Sequence, residues 1–342
     1  MADMNDIVKL AVDLYHGTPE QYSVEDGNQT LREALIAANN GSTKMDYRAI
    51  RDGKCNGLFA IIEEILDNTV IEGLTSNDFF NNYVDYRNLA LGDQNLFLVD
   101  DDLLFEVAKV ADGTQGIRRQ RLEGGTEISI NTTMHMIRIY EELNRVLSGR
   151  VDFNQMIGKV SESFQRDILN EIYSLWVAST TPAAVTGGAA MGSAVYFPAA
   201  GSYSEDALLD LIAHVEAATG KEATLTGTKK ALRNLRESIQ SDGAKDELHN
   251  YGYYGKFYGT PCVALPQRHK VGSTAFILND NVINVVAGDS KPIKFVYEGD
   301  PIIIPGDPLQ NADLTQEYVW GQKYGCGLVL AGNAGFGCYT MT

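Results

Sequence analysis

Hydrophobic residues near the start of the chain recur every three to four positions, which is the spacing of amphipathic helices. The second of three such patterns contains Thr30-Leu31-Arg32-Glu33, a capping box in which hydroxyl and carboxylate would satisfy each other's end amides. It stops at Asn40-Gly41, a typical helix end. We therefore predict three helices, the second opening at Thr30. The apolar positions of the first and third are Ile7, Leu10, Ala11, Leu14, Leu58, Ile61, Ile62, Ile65 and Leu66.

The pattern changes to a period of two between about residues 95 and 140. Leu104–Val110 is rich in apolar and β-branched residues, and Thr126–Ile139 alternates throughout, which predicts one long strand with one solvent-facing side. The segment 112–125 between these arms is polar and has glycines near both ends, so it reads as the tip of a long exposed hairpin. The residues predicted to share the apolar side of the second arm are Ile128, Ile130, Thr132, Met134 and Met136.

The longest helical pattern begins after Asp152, a suitable N-cap, and continues to Ala178, which corresponds to roughly 40 Å of helix. The segment 180–201 is small and loose and is predicted to be a domain crossover. Two short helices follow, from Ser204 and from Thr228, and the remainder is rich in strands. These predicted strands are Pro261–Leu265, Ala275–Leu278, Val282–Ala287, Ile293–Tyr297, Ile302–Ile304, Glu317–Trp320, Gly327–Leu330 and Phe336–Met341.

The chain has 342 residues, 44% of them apolar, and a net charge of −17 from 28 basic and 45 acidic residues. An acidic surface repels phosphate, so a nucleic-acid-reading role is disfavoured, although a protein that encloses DNA without gripping it is compatible with this charge. No apolar run suggests a signal peptide or a membrane span. The four cysteines lack paired spacing, and we expect free thiols in a protein made in the cytoplasm.

No motif of enzymatic or cofactor chemistry stands out. The glycine-rich segments 325–327 and 332–337 do not match a dinucleotide or phosphate loop, and the five histidines are widely spread. We therefore expect no catalytic residue, no cofactor and no metal site. The aromatic loop 251–258 could stack bases, but it lacks a basic groove, and a packed loop near a symmetry axis is the preferred interpretation.

Several strings, taken in order, carry a family resemblance. They are Arg119–Thr126 before the alternating strand, Ile139–Leu143 before the long helix, Ala223–Thr228 before a short helix, Tyr251–Pro261, and Glu317-Tyr318 followed by Gly321–Gly325. From about residue 80 onward, this order resembles the major capsid proteins of tailed bacteriophages, which have the Hong Kong ninety-seven-like fold. The likeness is weaker before residue 80.

The resemblance implies an α+β fold with an N-terminal arm, an extended hairpin called the E-loop, a peripheral (P) domain with a long spine helix, and an axial (A) domain. The implied boundaries are 1–80 for the arm, 81–140 for the E-loop and its flanks, 141–180 for the spine helix, 181–300 for the A domain, and 301–342 for returning C-terminal strands.

The function implied is that of a structural, non-enzymatic shell subunit. It would self-assemble into pentamers and hexamers of an icosahedral capsid around double-stranded DNA, with scaffold and portal proteins as partners and without sequence-specific DNA binding or membrane contact. Its place would be the virion, after assembly in the host cytoplasm. The alternatives are an encapsulin-like nanocompartment shell and, from another class, an acidic α+β hydrolase or nucleotide-binding enzyme.

The candidate assembly contacts are Arg118, Arg119 and Arg121 at the predicted hairpin tip. Arginine offers a bidentate fork to carboxylates, so this tip could dock on an acidic neighbouring surface. Some proteins of the resembling family join an E-loop lysine to an asparagine of a neighbour. Here the tip carries arginines and Lys109 lies back on an arm, so covalent cross-linking is not expected.

Overall fold

The computed structural model describes residues 4–16, 23–43, 52–54, 56–99, 107–112, 118–121, 126–140, 153–178, 196–237, 249–270, 272–287, 291–305, 317–329 and 336–342. Its helices are α1 (Met4–His16), α2 (Val24–Ala38), α3 (Asn56–Thr75), α4 (Asp78–Tyr83), α5 (Phe153–Ala178), α6 (Glu205–Thr219) and α7 (Lys229–Leu232), which continues as a 3-10 turn over Arg233–Glu237. The strands are β1 (Val84–Leu89), β2 (Phe97–Val99), β3 (Thr126–Ile128), β4 (Thr133–Tyr140), β5 (Tyr196–Gly201), β6 (Ala223–Thr228), β7 (Lys256–Phe257), β8 (Thr260–Leu265), β9 (Val282–Ala287), β10 (Ile293–Pro305), β11 (Glu317–Leu328) and β12 (Phe336–Met341).

A four-stranded sheet in the order β1-β10-β11-β4 forms the first unit. Helices α3 and α5 cover one face of this sheet, and α1 packs on both of them. Buried aromatic rings fill the contact between α4 and α5: Phe79 lies 4.7 Å from Tyr173 and 5.3 Å from Trp176, measured between ring centroids. Aromatic rings in tilted and edge-to-face contact contribute strongly to a core, so these rings fix α4 to the long helix α5.

A six-stranded sheet in the order β5-β12-β9-β6-β8-β7 forms the second unit, with α6 packed across one face. Strand β9 is buried along its whole length because both of its faces are covered. The last strand, β12, lies between β5 and β9, so the C-terminal end of the chain completes this sheet. Strand β10 belongs to the first unit and runs through position 300, where the sequence placed a domain boundary.

The helix predictions are confirmed for α1, α3 and α5, but the predicted start of the second helix is wrong. Helix α2 begins seven positions or so earlier, because the Ser23 hydroxyl accepts from the Asp26 amide and acts as the N-cap. Thr30 lies inside the helix and donates to the Asp26 carbonyl at 2.9 Å. The predicted end is confirmed, since Asn40 and Gly41 both have positive φ.

Four strand predictions need correction. The alternating segment 126–139 is two strands, β3 and β4, whose partners differ. The four short strands predicted within 293–330 are two long ones, β10 and β11, which pair antiparallel across a bulge. The segment 275–278 forms one bridge rather than a strand, and 107–110 is irregular, while the rest of the predicted first hairpin arm lies outside the described residues.

Cys262, Cys326 and Cys338 are free thiols, as expected, and Cys55 lies outside the described residues. Among the helices that the structure describes, none combines the length and apolar character needed to cross a bilayer. The described ranges also contain no group of three or more histidine, cysteine or acidic side chains arranged to hold a metal ion.

Candidate assembly surface

The predicted hairpin leaves the four-stranded sheet after β1 and returns to it at β4. Strands β2 and β3 form its stem, an antiparallel ribbon in which Phe97 pairs with Ile128 and Val99 with Thr126. An isolated two-stranded ribbon is marginally stable in water, so its conformation depends on how the stem is fixed to the sheet.

A small apolar cluster fixes the stem. Phe97, which is 2% exposed, packs with Ile130 and with Val296 of β10, apart from the two large cores. The Arg87 guanidinium lies 3.9 Å from the centroid of the Phe97 ring, a cation–π contact, and donates to the Leu96 carbonyl at 3.0 Å. This group, which we call the hairpin base, therefore joins both arms of the stem to the sheet.

A carboxylate of β10 adds polar contacts to both arms. The Glu298 Oε1 atom accepts from the Lys323 ammonium at 2.8 Å and from the Gly92 amide at 3.3 Å, and Oε2 accepts from the Thr132 hydroxyl. These donors, led by Lys323, lower the pKa of Glu298 to about 2. The side chain of Glu298 is only 12% exposed and stays ionised, because its charge is satisfied from three directions.

A second polar network joins β4 to the long helix α5. The His135 ring stacks on Tyr324 at 3.8 Å, and its Nδ1 atom lies 3.1 Å from the Asp167 carboxylate. Tyr324 donates to the same carboxylate at 2.6 Å, and burial together with this bond raises the pKa of the phenol. The edge strand that ends the hairpin is thus tied to α5 through one acidic side chain.

Two acidic side chains of α3 hold β10 from the covered face of the sheet. Glu63 accepts from the Ile303 amide at 2.8 Å, and Asp67 accepts from the Tyr297 hydroxyl at 3.0 Å. Burial raises the pKa of both carboxyl groups, and the nearby Asp300 acts in the same direction. These contacts lie on either side of the β10 bulge, whose Gly299 has a φ of +73°.

Beyond the hairpin base, the structure describes residues 107–112 and 118–121 of the hairpin, and all of them are exposed. Among these exposed residues are two apolar ones, Val107 at 90% and Val110 at 46% exposed. The predicted contacts Arg118, Arg119 and Arg121 are all exposed, and within the described part of the chain none of them forms an ion pair. The three arginines therefore lie exposed within one four-residue segment of the hairpin.

The sheet itself presents an apolar patch that the sequence pattern did not predict. Met134, Met136, Ile302 and Ile304 are exposed on the face opposite α3 and α5. Met136, Gly321 and Ile302 lie side by side on three adjacent strands, so the patch is continuous. Assigning both methionines to the apolar side of one long strand was wrong, because the phase of alternation changes between β3 and β4.

The aromatic loop is partly packed. Tyr254 and Phe257 are buried in the second core, whereas Tyr251 and Tyr258 are exposed. Tyr258 has a φ of +46° and is followed by Gly259 at +91°, so the turn between β7 and β8 holds a tyrosine in a conformation that favours glycine or asparagine.

A groove of about 1020 Å³ lies between α5, the α3–α4 junction and the end of β8. Its lining is mostly polar and includes Gln165, Arg166, Asn170 and Arg268. The lining also holds Asp78, Glu162, Cys262 and His269, and no hydrogen bond or ion pair found among the described residues joins two of these four.

An α+β subunit with a long helix laid on a four-stranded sheet, a projecting hairpin and a second sheet domain has the fold of the major capsid proteins of tailed phages. The first solved structure in the comparison is the mature capsid of bacteriophage PhiM1, with a TM-score of 0.51 and 11% identity, covering 78% of this chain and 87% of that one. Lower likeness links the chain to Gordonia phage Cozz (TM-score 0.48, 17% identity, 78% and 87% coverage) and to the procapsid of satellite phage P4 (0.46, 10%, 80% and 90%). At these identities the likeness concerns the fold alone.

The family is shown by the sequence itself. A family model described as "SPbeta prophage-derived putative capsid protein YonB" matches residues 6–339. The match spans nearly the whole chain, so the chain belongs to this family and is a phage capsid protein. A comparison with curated protein sequences gives no match.

Proposed function

We propose that this capsid subunit assembles through pentamers and hexamers into a closed icosahedral shell around double-stranded DNA. The observation that carries the proposal is the hairpin, which has a packed base and, in its described part beyond that base, exposed valines and three exposed arginines. Ordering such an arm costs conformational entropy, and a contact with a second subunit would offset that cost.

The arginines indicate how the hairpin would dock. A chain of net charge −17 concentrates three positive charges on one uncovered segment, so the complementary surface is another copy of the same acidic chain. A contact between the tip of one subunit and the body of the next is heterologous, and contacts of this type close into rings and shells. Many modest interfaces per subunit then add up to a stable particle.

The acidic surface also fits a wall around DNA. It would not hold packaged DNA by charge neutralisation, and it would let the DNA move during packaging. We further propose synthesis in the host cytoplasm, assembly directed by a scaffold and a portal protein, and a purely structural role without cofactor or catalysis.

A charge-reversal series tests the docking of the hairpin. Arg118→Glu, Arg119→Glu and Arg121→Glu together change the net charge by 3 × (−2), from −17 to −23. The control variant reverses the exposed Lys221, Lys229 and Lys256 of the second unit and reaches the same net charge. We expect the control to form particles and the arginine variant to remain as free subunits or capsomers in sedimentation and negative-stain microscopy.

Normal shells from the arginine variant would refute docking through these residues. Equal loss of shells from both variants would show that overall charge, not the hairpin tip, governs assembly. The contents of wild-type particles made in cells decide the remaining alternative, since packaged DNA supports a phage capsid and a protein cargo supports a nanocompartment shell.

A further inference from the structure

The hairpin leaves and re-enters the sheet along one row of paired residues. Leu89, the last residue of β1, pairs with Glu298 of β10, Glu298 pairs with Lys323 of β11, and Lys323 pairs with Met134 at the start of β4. The outgoing arm therefore departs beside Glu298 on one side, and the returning arm arrives two strands away on the other. Glu298 and Lys323 are the two residues between the exits.

The contacts of Glu298 reach both exits. The Gly92 amide, which lies three residues beyond the end of β1, donates to Oε1 at 3.3 Å, and the Thr132 hydroxyl, one residue before β4, donates to Oε2. Lys323 fixes the carboxylate between them at 2.8 Å. One side chain of the rigid sheet therefore holds a backbone group of one arm and a side chain of the other.

The β10 bulge places the carboxylate where it can do this. The pairing of β10 with β11 shifts register directly after Glu298, and Gly299 adopts a φ of +73°. Gln322 donates to the Gly299 carbonyl at 3.2 Å, and Leu91 of the outgoing arm lies against Gly299. Bulges commonly end regular pairing and re-aim a side chain, and here the bulge sits at the foot of the hairpin.

We propose that Glu298 is a positioning residue for assembly, which fixes the direction in which the hairpin leaves the sheet and so prepares it to dock on a neighbouring subunit. The proposal rests on the proposed function, because direction matters only if the hairpin docks. Holding an arm in its bound orientation removes part of the entropy cost of association. Glu298 need not touch the neighbour to exert this effect.

The first measurement is hydrogen–deuterium exchange on the unassembled subunit with Glu298→Gln. The amide keeps the shape of the side chain but loses the charge and turns an N–H group toward at least one of the three donors. We expect exchange in the segments 90–96 and 129–133 to become about tenfold faster. The critical concentration for shell formation should rise with it. Thr132→Val, which leaves the ion pair intact, should give a smaller change confined to 129–133.

Two further variants separate positioning from a simple ion pair. Asp280→Asn removes the Lys230–Asp280 ion pair of the second unit, which is 3.3 Å long and remote in the fold from the hairpin, and should change neither readout at the hairpin. The double variant Glu298→Lys with Lys323→Glu restores opposite charges but puts an ammonium group where an acceptor is needed. It should remain as defective as Glu298→Gln.

Unchanged exchange in Glu298→Gln, faster exchange with normal assembly, or full recovery in the charge-swapped double variant would each overturn the proposal. Failure of the wild-type chain to form shells would instead overturn the proposed function. The exchange measurement is made on free subunits, so it would still decide whether Glu298 orders the hairpin.

Discussion

Replacing Phe97 by alanine should release the hairpin while leaving the rest of the subunit folded. Phe97 is the largest side chain of the hairpin base, and its buried ring contacts Ile130 and Val296 rather than either large core. The cores remain filled in the variant. The loss of packing free energy therefore affects the local equilibrium between a stem docked on the sheet and an open stem.

The size of this effect follows from the burial. A Phe→Ala change in a protein interior costs about 3–5 kcal/mol, and the low end applies to a small cluster that can collapse. Loss of the Arg87 cation–π contact at 3.9 Å adds about 0.5–1 kcal/mol. A total near 3.5 kcal/mol shifts the docked–open equilibrium by a factor on the order of several hundred, since each 1.4 kcal/mol is tenfold. A two-stranded stem is too weakly stable by itself to offset a loss of that size.

The assay is hydrogen–deuterium exchange combined with limited proteolysis of the free subunit. Peptides from β2, β3 and the connection to β4 should exchange on the order of a hundredfold faster, whereas peptides from α5 and β9 should keep their wild-type rates. The matched control is Phe276→Ala, because Phe276 is 54% exposed and its removal empties no core. Hairpin protection equal to wild type, or loss of protection throughout the subunit, would refute this account of the base.

Two further predictions concern the sheet. Gly325→Ala should lower the midpoint of thermal unfolding by several degrees, because its Cβ atom would lie 2.2 Å from the Asn131 carbonyl oxygen and force β11 and the returning arm apart. The control Gly57→Ala in α3 brings a Cβ atom near no other atom and should leave the midpoint unchanged or raise it. Burial raises the pKa of Asp67, so its contribution to stability is greatest below the ordinary carboxyl range and is lost as the pH rises through the raised pKa. Asp67→Asn, which can still accept from Tyr297, should therefore gain stability relative to wild type in urea unfolding as the pH rises above the ordinary carboxyl range, and a difference that stays constant with pH would contradict this sign.

The sequence predicted the elements whose pattern is local and repetitive. Helix α5 keeps its apolar spacing over 26 residues, so its length and buried face could be read directly. The start of α2 could not, because Ser23 and Thr30 both precede an acidic residue at the spacing of a capping box, and the choice between them depends on the packing of Leu31 and Leu35. Local capping signals alone do not decide which of two such residues is the N-cap.

The break between β3 and β4 coincides with a close contact to a residue elsewhere in the chain. The Asn131 carbonyl occupies the space beside Gly325 that any other residue would fill with its Cβ atom. Residues 129–132 lie outside both ladders, and the inward-facing positions change from Ile128 and Ile130 to Ile137 and Ile139, so Met134 and Met136 are exposed. Alternation within 126–139 carries no sign of a glycine nearly 200 positions away.

The candidate assembly surface likewise has one part that the sequence predicts, the arginines, and one part that it does not, Glu298. The arginines of the hairpin tip form a local string and were visible in the sequence, whereas Glu298 is 206 residues from Gly92 and 166 from Thr132. No motif marks such a residue, since an acidic position before Gly-Asp-Pro reads as an ordinary turn. Its role emerges only when β1, β10 and β11 are paired.

This long separation has a consequence for assembly under the proposed function. The hairpin base draws on β1, β2, the connection to β4 and β10, and the contacts of Glu298 add β11. The stem can therefore be held in place only after these distant segments have paired. A subunit that has not completed its sheet has a free hairpin, and a free hairpin loses the entropic advantage of a prepared arm. Under the proposed function, folding of the β10–β11 pair would thus precede entry of a subunit into the shell and would protect the growing shell from incompletely folded copies.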